Sequence, residues 1–94
     1  MELYQLRSLA AIADAGQLTR AAEKLHVSQP ALSAQLKALE DELDLILFDR
    51  TPNGMVLTAA GKRVLSAAMR VLAAAEALQN DARLLKGQVI GKAC

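Results

Sequence analysis

The stretch "LHVSQPALS", residues 25–33, sets a carboxamide and a hydroxyl at the leading end of what reads as a helix. Ser28 has the short polar side chain that caps a helix N-terminus, and Pro30 falls in the first turn, where a missing N–H costs nothing. Gln29 and Ser33 then stand one helical turn apart. A carboxamide in such a place presents a donor beside an acceptor, which can pair bidentately with adenine in a major groove or touch other base edges. A solvated glutamine completing a helix start has the same signature, and the residues alone leave both readings open. Little other chemistry is on offer. The one histidine, His26, stands in a turn with no second metal ligand nearby, and the one cysteine, Cys94, has no partner. These exclude an internal disulfide and a Cys-based zinc site, and the scattered carboxylates form no convergent acid–base or nucleophile set. No metal or cofactor is expected, and an enzyme is argued against.

The elements that must position Gln29 and Ser33 are helical. In 94 residues, 53% are hydrophobic and only 2% aromatic, so the core must come from Leu, Ala, Val and Ile, which suits packed helices. Leu3, Leu6, Leu9 or Ala10, and Ala13 give a first amphipathic helix, stopped by Gly16. "LTRAAEKL" gives a short second helix with Leu18, Ala22 and Leu25 on one side; its start is weakly marked, because Gln17 is a poor cap. In the third helix Leu32, Leu36, Leu39 and Leu43 form one narrow stripe. Pro30, Ser33, Ala34, Lys37 and Asp41 lie on the opposite, exposed face, with Gln29 at its border. The second and third helices with their three-residue break form a helix-turn-helix pattern.

Beyond Asp44 the period changes. "LILFDR" and "MVLT" are short, apolar and rich in strand formers, and "TPNG" between them signals a hairpin turn. A two-stranded wing is therefore expected to lean on the helices. From Thr58, a plausible N-cap, to about Lys86 nothing breaks a helix except Gly61 in its first turn. Val64, Ala68, Val71, Ala75, Leu78, Ala82 and Leu85 repeat as a heptad seam with Ala at alternate positions. A rod of that length is expected to seek a partner helix, most simply its own copy. The tail "GQVIGKAC" turns strand-like and stops, which reads as the start of a further, absent domain. No run approaches the length of a membrane span, so a soluble protein of a reducing, cytoplasmic compartment is expected.

"LTRAAEKLHVSQPALSAQLKALEDEL" followed by "LFDRTPNGMVLTAAG" resembles the N-terminal DNA-binding domain of LysR-type transcriptional regulators, from about Leu3 to Gly61. The resemblance implies a mainly α fold: a winged helix-turn-helix over residues 1–58, a dimerising linker helix over 59–86, and at 87–94 the first strand of an effector-binding domain. It implies sequence-selective binding of double-stranded DNA, as a homodimer, at an interrupted inverted repeat with A·T-rich flanks; full-length members could assemble further. Small-molecule effectors would act only through the absent domain. Base contact is then favoured for Gln29, Pro30 and Ser33, with Pro30 touching a thymine methyl or sugar. Ser28 is first a cap and second a phosphate ligand. Arg50 resembles the wing arginine that reaches the minor groove or flanking phosphates; the alternative is a salt bridge to Asp49 or Glu42. Thr51 and Thr58 are phosphate candidates, as are Arg20 and Lys24, although solvated charges are the commoner outcome. Lys37 lies on the DNA side.

Charge complicates the reading. Residues 1–58 carry five basic and eight acidic side chains, a net of −3, and residues 59–94 six and two, a net of +4. The acids Glu40, Asp41, Glu42 and Asp44 fall at the far end of the third helix, so the sum overstates repulsion, yet modest affinity is expected for one domain. Four positions depart from the family pattern: Gln17 stands where Ser is frequent, Ala34 where a basic residue is frequent, Asp44 where Gly is frequent, and the wing tip lacks an extra Arg or Lys. A protein-interaction module built on the Ala/Leu seam, with a helix-turn-helix that no longer binds DNA, is the rival from another class. The winged domain of molybdate-responsive regulators is the alternative within the class.

Overall fold

Leu9, Ile12, Leu32, Leu39 and Leu47 are fully enclosed, and four helices and one hairpin enclose them. The computed structural model describes the backbone of residues 1–93 and the side-chain surroundings of residues 1–87. In chain order the elements are α1 (Leu3–Ala15), α2 (Leu18–Leu25), α3 (Gln29–Leu43), β1 (Phe48–Thr51), β2 (Gly54–Leu57) and α4 (Ala59–Ala93). The fold is thus the expected winged helix-turn-helix followed by a long helix. It extends over 60 × 25 × 20 Å because α4 runs past the globular part.

The stripe that α1 buries is Leu6, Leu9 and Ile12, with Ser8 beside it. Leu3, expected on the core face, is 39% exposed. Ser8 lies beneath α3, its Oγ 2.6 Å from Gln35 Oε1 and 2.9 Å from the Tyr4 carbonyl. Gly16 ends α1 at φ +73, a left-handed value that costs glycine nothing. Its carbonyl then accepts the Met55 N–H at 2.8 Å, which moors the wing to the α1–α2 turn. A side chain at Gly54 would collide with that same carbonyl.

As expected, α2 starts without a side-chain cap at Gln17. It buries Leu18, Ala21 and Ala22 and stops at His26, at φ +57. In α3 the leucine stripe is buried at Leu32, Leu36 and Leu39 and half-buried at Leu43. Ser28 caps α3 by accepting the Ala31 N–H at 3.2 Å. Asp44 closes it at φ +56 with the Leu45 N–H bonded to the Glu40 carbonyl.

The first strand is shorter and starts later than "LILFDR" suggests, and the second starts one residue before "MVLT". The hairpin pairs Phe48 with Leu57 and Thr51 with Gly54, around Pro52 and Asn53. Leu45 and Ile46 are exposed rather than laddered, Ile46 at 64%. The cause is Leu47, whose N–H goes to Glu40 Oε2 at 2.7 Å and whose carbonyl goes to the Thr58 N–H at 3.0 Å. With both groups taken, the ladder cannot start before Phe48.

Thr58 caps α4, its Oγ1 accepting the Gly61 N–H at 2.9 Å. Val64, Leu65, Ala68 and Leu72 join the core against α1, so Ala68, assigned to the dimer seam, is 3% exposed and already committed within the protomer. Beyond Leu72 the helix leaves the domain, with Leu78 69% and Leu85 60% exposed. The helix does not stop near Lys86. It continues to Ala93 where "GQVIG" suggests a strand; Cys94 lies outside the described residues. A lone strand has no partner for its backbone, whereas a helix satisfies its own as it propagates.

A left-handed Asp costs conformational energy that Gly escapes, so Asp44→Gly should stabilise the domain by about 1 kcal/mol. A chemical denaturation curve with a higher midpoint and unchanged slope checks this, and an unchanged midpoint would mean that the Asp44 side chain repays the strain.

Candidate nucleic-acid interface

The exposed start of α3 is flanked by the first turn of α2 on one side and by the wing on the other. Between them lies an open groove of about 300 Å³ lined by Gln17, Thr19, Gln29, Arg50, Thr51, Pro52 and Met55, among others. Two side-chain bonds cross its edges. Arg50 Nη2 donates to Ser33 Oγ at 3.2 Å, and Thr19 Oγ1 donates to Gln29 Oε1 at 3.4 Å. The structure therefore brings Gln29, Ser33 and Arg50 to one surface, although seventeen residues separate the last two. Among the described residues Arg50 makes no salt bridge, to Asp49, Glu42 or any other acid.

The hydroxyls divide by what their protons do. A phosphate oxygen accepts hydrogen bonds, so a hydroxyl must keep its proton free to bind one. Among the described residues Ser28 only accepts, from Ala31, and Ser33 only accepts, from Arg50. Thr51, in contrast, donates to the Gly54 carbonyl at 3.0 Å, and Thr58 donates to the Ile46 carbonyl at 2.6 Å. Thr51 also accepts the Asn53 N–H and so closes the wing turn. Either threonine would have to give up a structural bond to reach a phosphate.

The cations divide as well. Lys37 is exposed on the α3 face that carries Ser33, but its Nζ is 2.7 Å from Asp41 Oδ1. The bond to Asp41 and its charge raise the Lys37 pKa above the ordinary lysine value, so the ammonium is retained. Arg20 lies apart from the groove, in a shallow hollow with Asp14, Ala15, Glu23 and Lys24. There Lys24 bonds Asp14 at 2.7 Å and holds its carboxyl below the usual carboxylate range.

Thr19, and Gln17 beyond its place as a weak cap and a departure from the family pattern, also line the groove. The signal for both was topological: in a helix-turn-helix the first turn of the leading helix lies beside the first turn of the following one. Among the described residues no cluster of His, Cys, Asp and Glu could hold a metal ion. No described helix is long and apolar enough to cross a membrane.

A helix-turn-helix with a hairpin wing and a projecting helix defines a class, and the comparisons narrow it. Residues 3–62 match the family described as bacterial regulatory helix-turn-helix protein, lysR family, and the chain belongs to that family. It is 41% identical over 92 residues to the HTH-type transcriptional regulator ClcR of Pseudomonas putida, covering 98% of this chain and 31% of that protein. It is 43% identical over 93 residues to the nitrogen assimilation regulatory protein nac of Klebsiella aerogenes, covering 95% of this chain and 30% of that one. Such relatives are named as transcriptional regulators, not as enzymes, and the chain spans between 24% and 32% of the length of the first three of them. Among solved structures it is similar to the DNA complex of the CbnR DNA-binding domain, with a TM-score of 0.84, 42% identity, and coverage of 88% of this chain and 95% of that one. It is also similar to the BenM domain on benA site 1 DNA, with a TM-score of 0.86, 30% identity, and coverage of 90% and 96%.

The Thr58 hydroxyl joins α4 to the segment before β1, so Thr58→Val should cost about 1–2 kcal/mol of stability. Thermal melts check this; an unchanged melting temperature with weakened DNA binding would instead make Thr58 a phosphate contact.

Proposed function

We propose that this chain reads double-stranded DNA sequence-selectively, as a homodimer, at an interrupted inverted repeat. The observation that carries the reading is the convergence of the exposed Gln29 and Arg50 with the half-buried Ser33 on one surface at the start of α3. A helix entering a major groove N-terminus first presents those positions to base edges. Pro30 adds an apolar contact, Ser28 a free hydroxyl for phosphate, and Lys37 a charge farther along the groove. Arg50 serves the adjacent minor groove or its phosphates, where a narrow A·T-rich groove attracts a guanidinium most. The acids at 40–44 sit at the opposite end of α3, away from the groove. Their presence and the absence of a basic residue at Ala34 keep single-domain affinity modest.

Residues 1–58 are the reading unit, and α4, which runs past the expected end at Lys86, is the linker helix that leads toward an effector-binding domain that decides regulatory output. The linker helix carries the dimer. With Ala68 committed to the core, the open seam is Val71, Ala75, Leu78, Ala82 and Leu85. An antiparallel pair crossing at Ala75 sets Val71 against the partner's Leu78 and brings the partner's Leu85 toward Val64. There an apolar hollow of about 220 Å³ opens between Met1, Leu6, Leu43, Val64, Ala67 and Val71. Alanine at the crossing lets the helices approach closely, and burying leucines this exposed is the driving force. The family context and the absence of a membrane-crossing described helix support a cytoplasmic site of action.

Selection from a random duplex pool tests the whole reading. The expected product is an inverted repeat with A·T-rich flanks; Gln29→Ala should erase preference at one base pair per half-site, worth about 1–3 kcal/mol of discrimination. Ala75→Glu should give a monomer by sedimentation velocity and only single half-sites in the selection. No enriched motif, with salt-sensitive retention of all sequences, would overturn sequence selectivity. No retention at all would leave an interaction module.

A further inference from the structure

Thr19 is not needed to build α2. Gln17 occupies the cap position, and Thr19 stands exposed in the first turn with its side chain toward α3. Among the described residues its hydroxyl makes one hydrogen bond, to Gln29 Oε1 across the groove edge. That contact, 3.4 Å long, sets the oxygen of the carboxamide on the α2 side. The NH₂ lies on the other side of the same planar group and so leads outward.

From this arrangement we infer that Thr19 is a specificity-determining residue: by holding Gln29 Oε1 it makes Gln29 read as a donor, selecting guanine rather than adenine. The inference rests on the DNA-reading function proposed above and specifies which base edge that surface takes. Bidentate pairing with adenine needs both halves of the carboxamide, the oxygen accepting from N6 and the NH₂ donating to N7. With the oxygen held on the α2 side, only the donor half faces the groove. Guanine presents two acceptors side by side, O6 and N7, and meets an NH₂ without conflict. Adenine presents an amino group in the place of O6, so donor would face donor.

The neighbouring bond works in the same sense. Because Arg50 donates to Ser33 Oγ, the Ser33 hydroxyl proton is left free to point outward. Ser28 likewise accepts, from Ala31, and keeps its proton. Gln29 and Ser33 therefore both offer donors at the start of α3, and an edge made of donors matches an edge made of acceptors. Thr19 does not touch the base in this account; it acts through Gln29.

Parallel selections from one random duplex pool test this, using wild type, Thr19→Val, Thr19→Ser and Gln29→Ala. Valine keeps the branched shape of threonine and removes only the hydroxyl, and the site is exposed, so the fold should survive; a thermal melt confirms it. The base pair under Gln29 is the one whose preference Gln29→Ala erases. Wild type and Thr19→Ser should select a G·C pair there. Thr19→Val frees the oxygen and should shift the position toward A·T, changing the ratio of the two pairs by about tenfold, the scale of one good bidentate contact. Selection of A·T by wild type, or an unchanged preference in Thr19→Val, overturns the role of Thr19 while leaving DNA reading intact. A pool without any enriched motif overturns both together.

Discussion

Leu47 is the point on which the arrangement turns. Its side chain is fully enclosed, its N–H is held by the Glu40 carboxylate, and its carbonyl is held by the Thr58 N–H. One residue thereby fixes three elements, since Glu40 belongs to α3, Thr58 begins α4, and the wing starts at the next position. Gly61 belongs to the same joint, because any side chain there would run into the Leu47 carbonyl. A hydrogen bond to a charged group contributes about 1.5–3 kcal/mol, and here it also sets geometry. Arg50 can meet Ser33 only because the strand that carries it leaves this joint in a fixed direction.

The second constraint is how charge is distributed. A chain with net +1 and a negative first half would bind DNA poorly if its charge were spread evenly. It is not spread evenly. The acids of α3 gather at its far end, where Glu40 is used to hold Leu47 and Asp41 to hold Lys37. The near end carries hydroxyls, a carboxamide and one guanidinium. Reading by hydrogen bonds to base edges requires that mixture, whereas simple attraction to phosphate would require more cations.

Much of this was legible locally. Ser28, Pro30, Gly16 and Thr58 announce helix ends by side-chain chemistry, and the leucine spacing of α3 announces its buried face. Asp44 stands at the left-handed closing position that the family pattern assigns to glycine. What was not legible depended on contacts across the chain. The late start of β1 follows from Glu40, seven residues back and past a helix end, which no strand pattern contains. Ala68 fits the seam by spacing, but α1 packs on it first. The tail read as a strand from its residue types, yet with no neighbouring strand the helix simply continues. Thr19 carries no local signal, because its partner lies on another helix.

On the proposed reading, the start of α3 and the wing form one DNA-facing surface to which the acidic end of α3 does not belong. Amide chemical-shift changes in the isotope-labelled chain, titrated at low salt with a short mixed-sequence duplex, test it directly. Shifts should cluster at Thr19, residues 28–33 and residues 49–54, and leave residues 41–46 undisturbed. Shifts confined to the basic residues Arg63, Arg70 and Arg83 of α4, or no shifts at all, would overturn that reading.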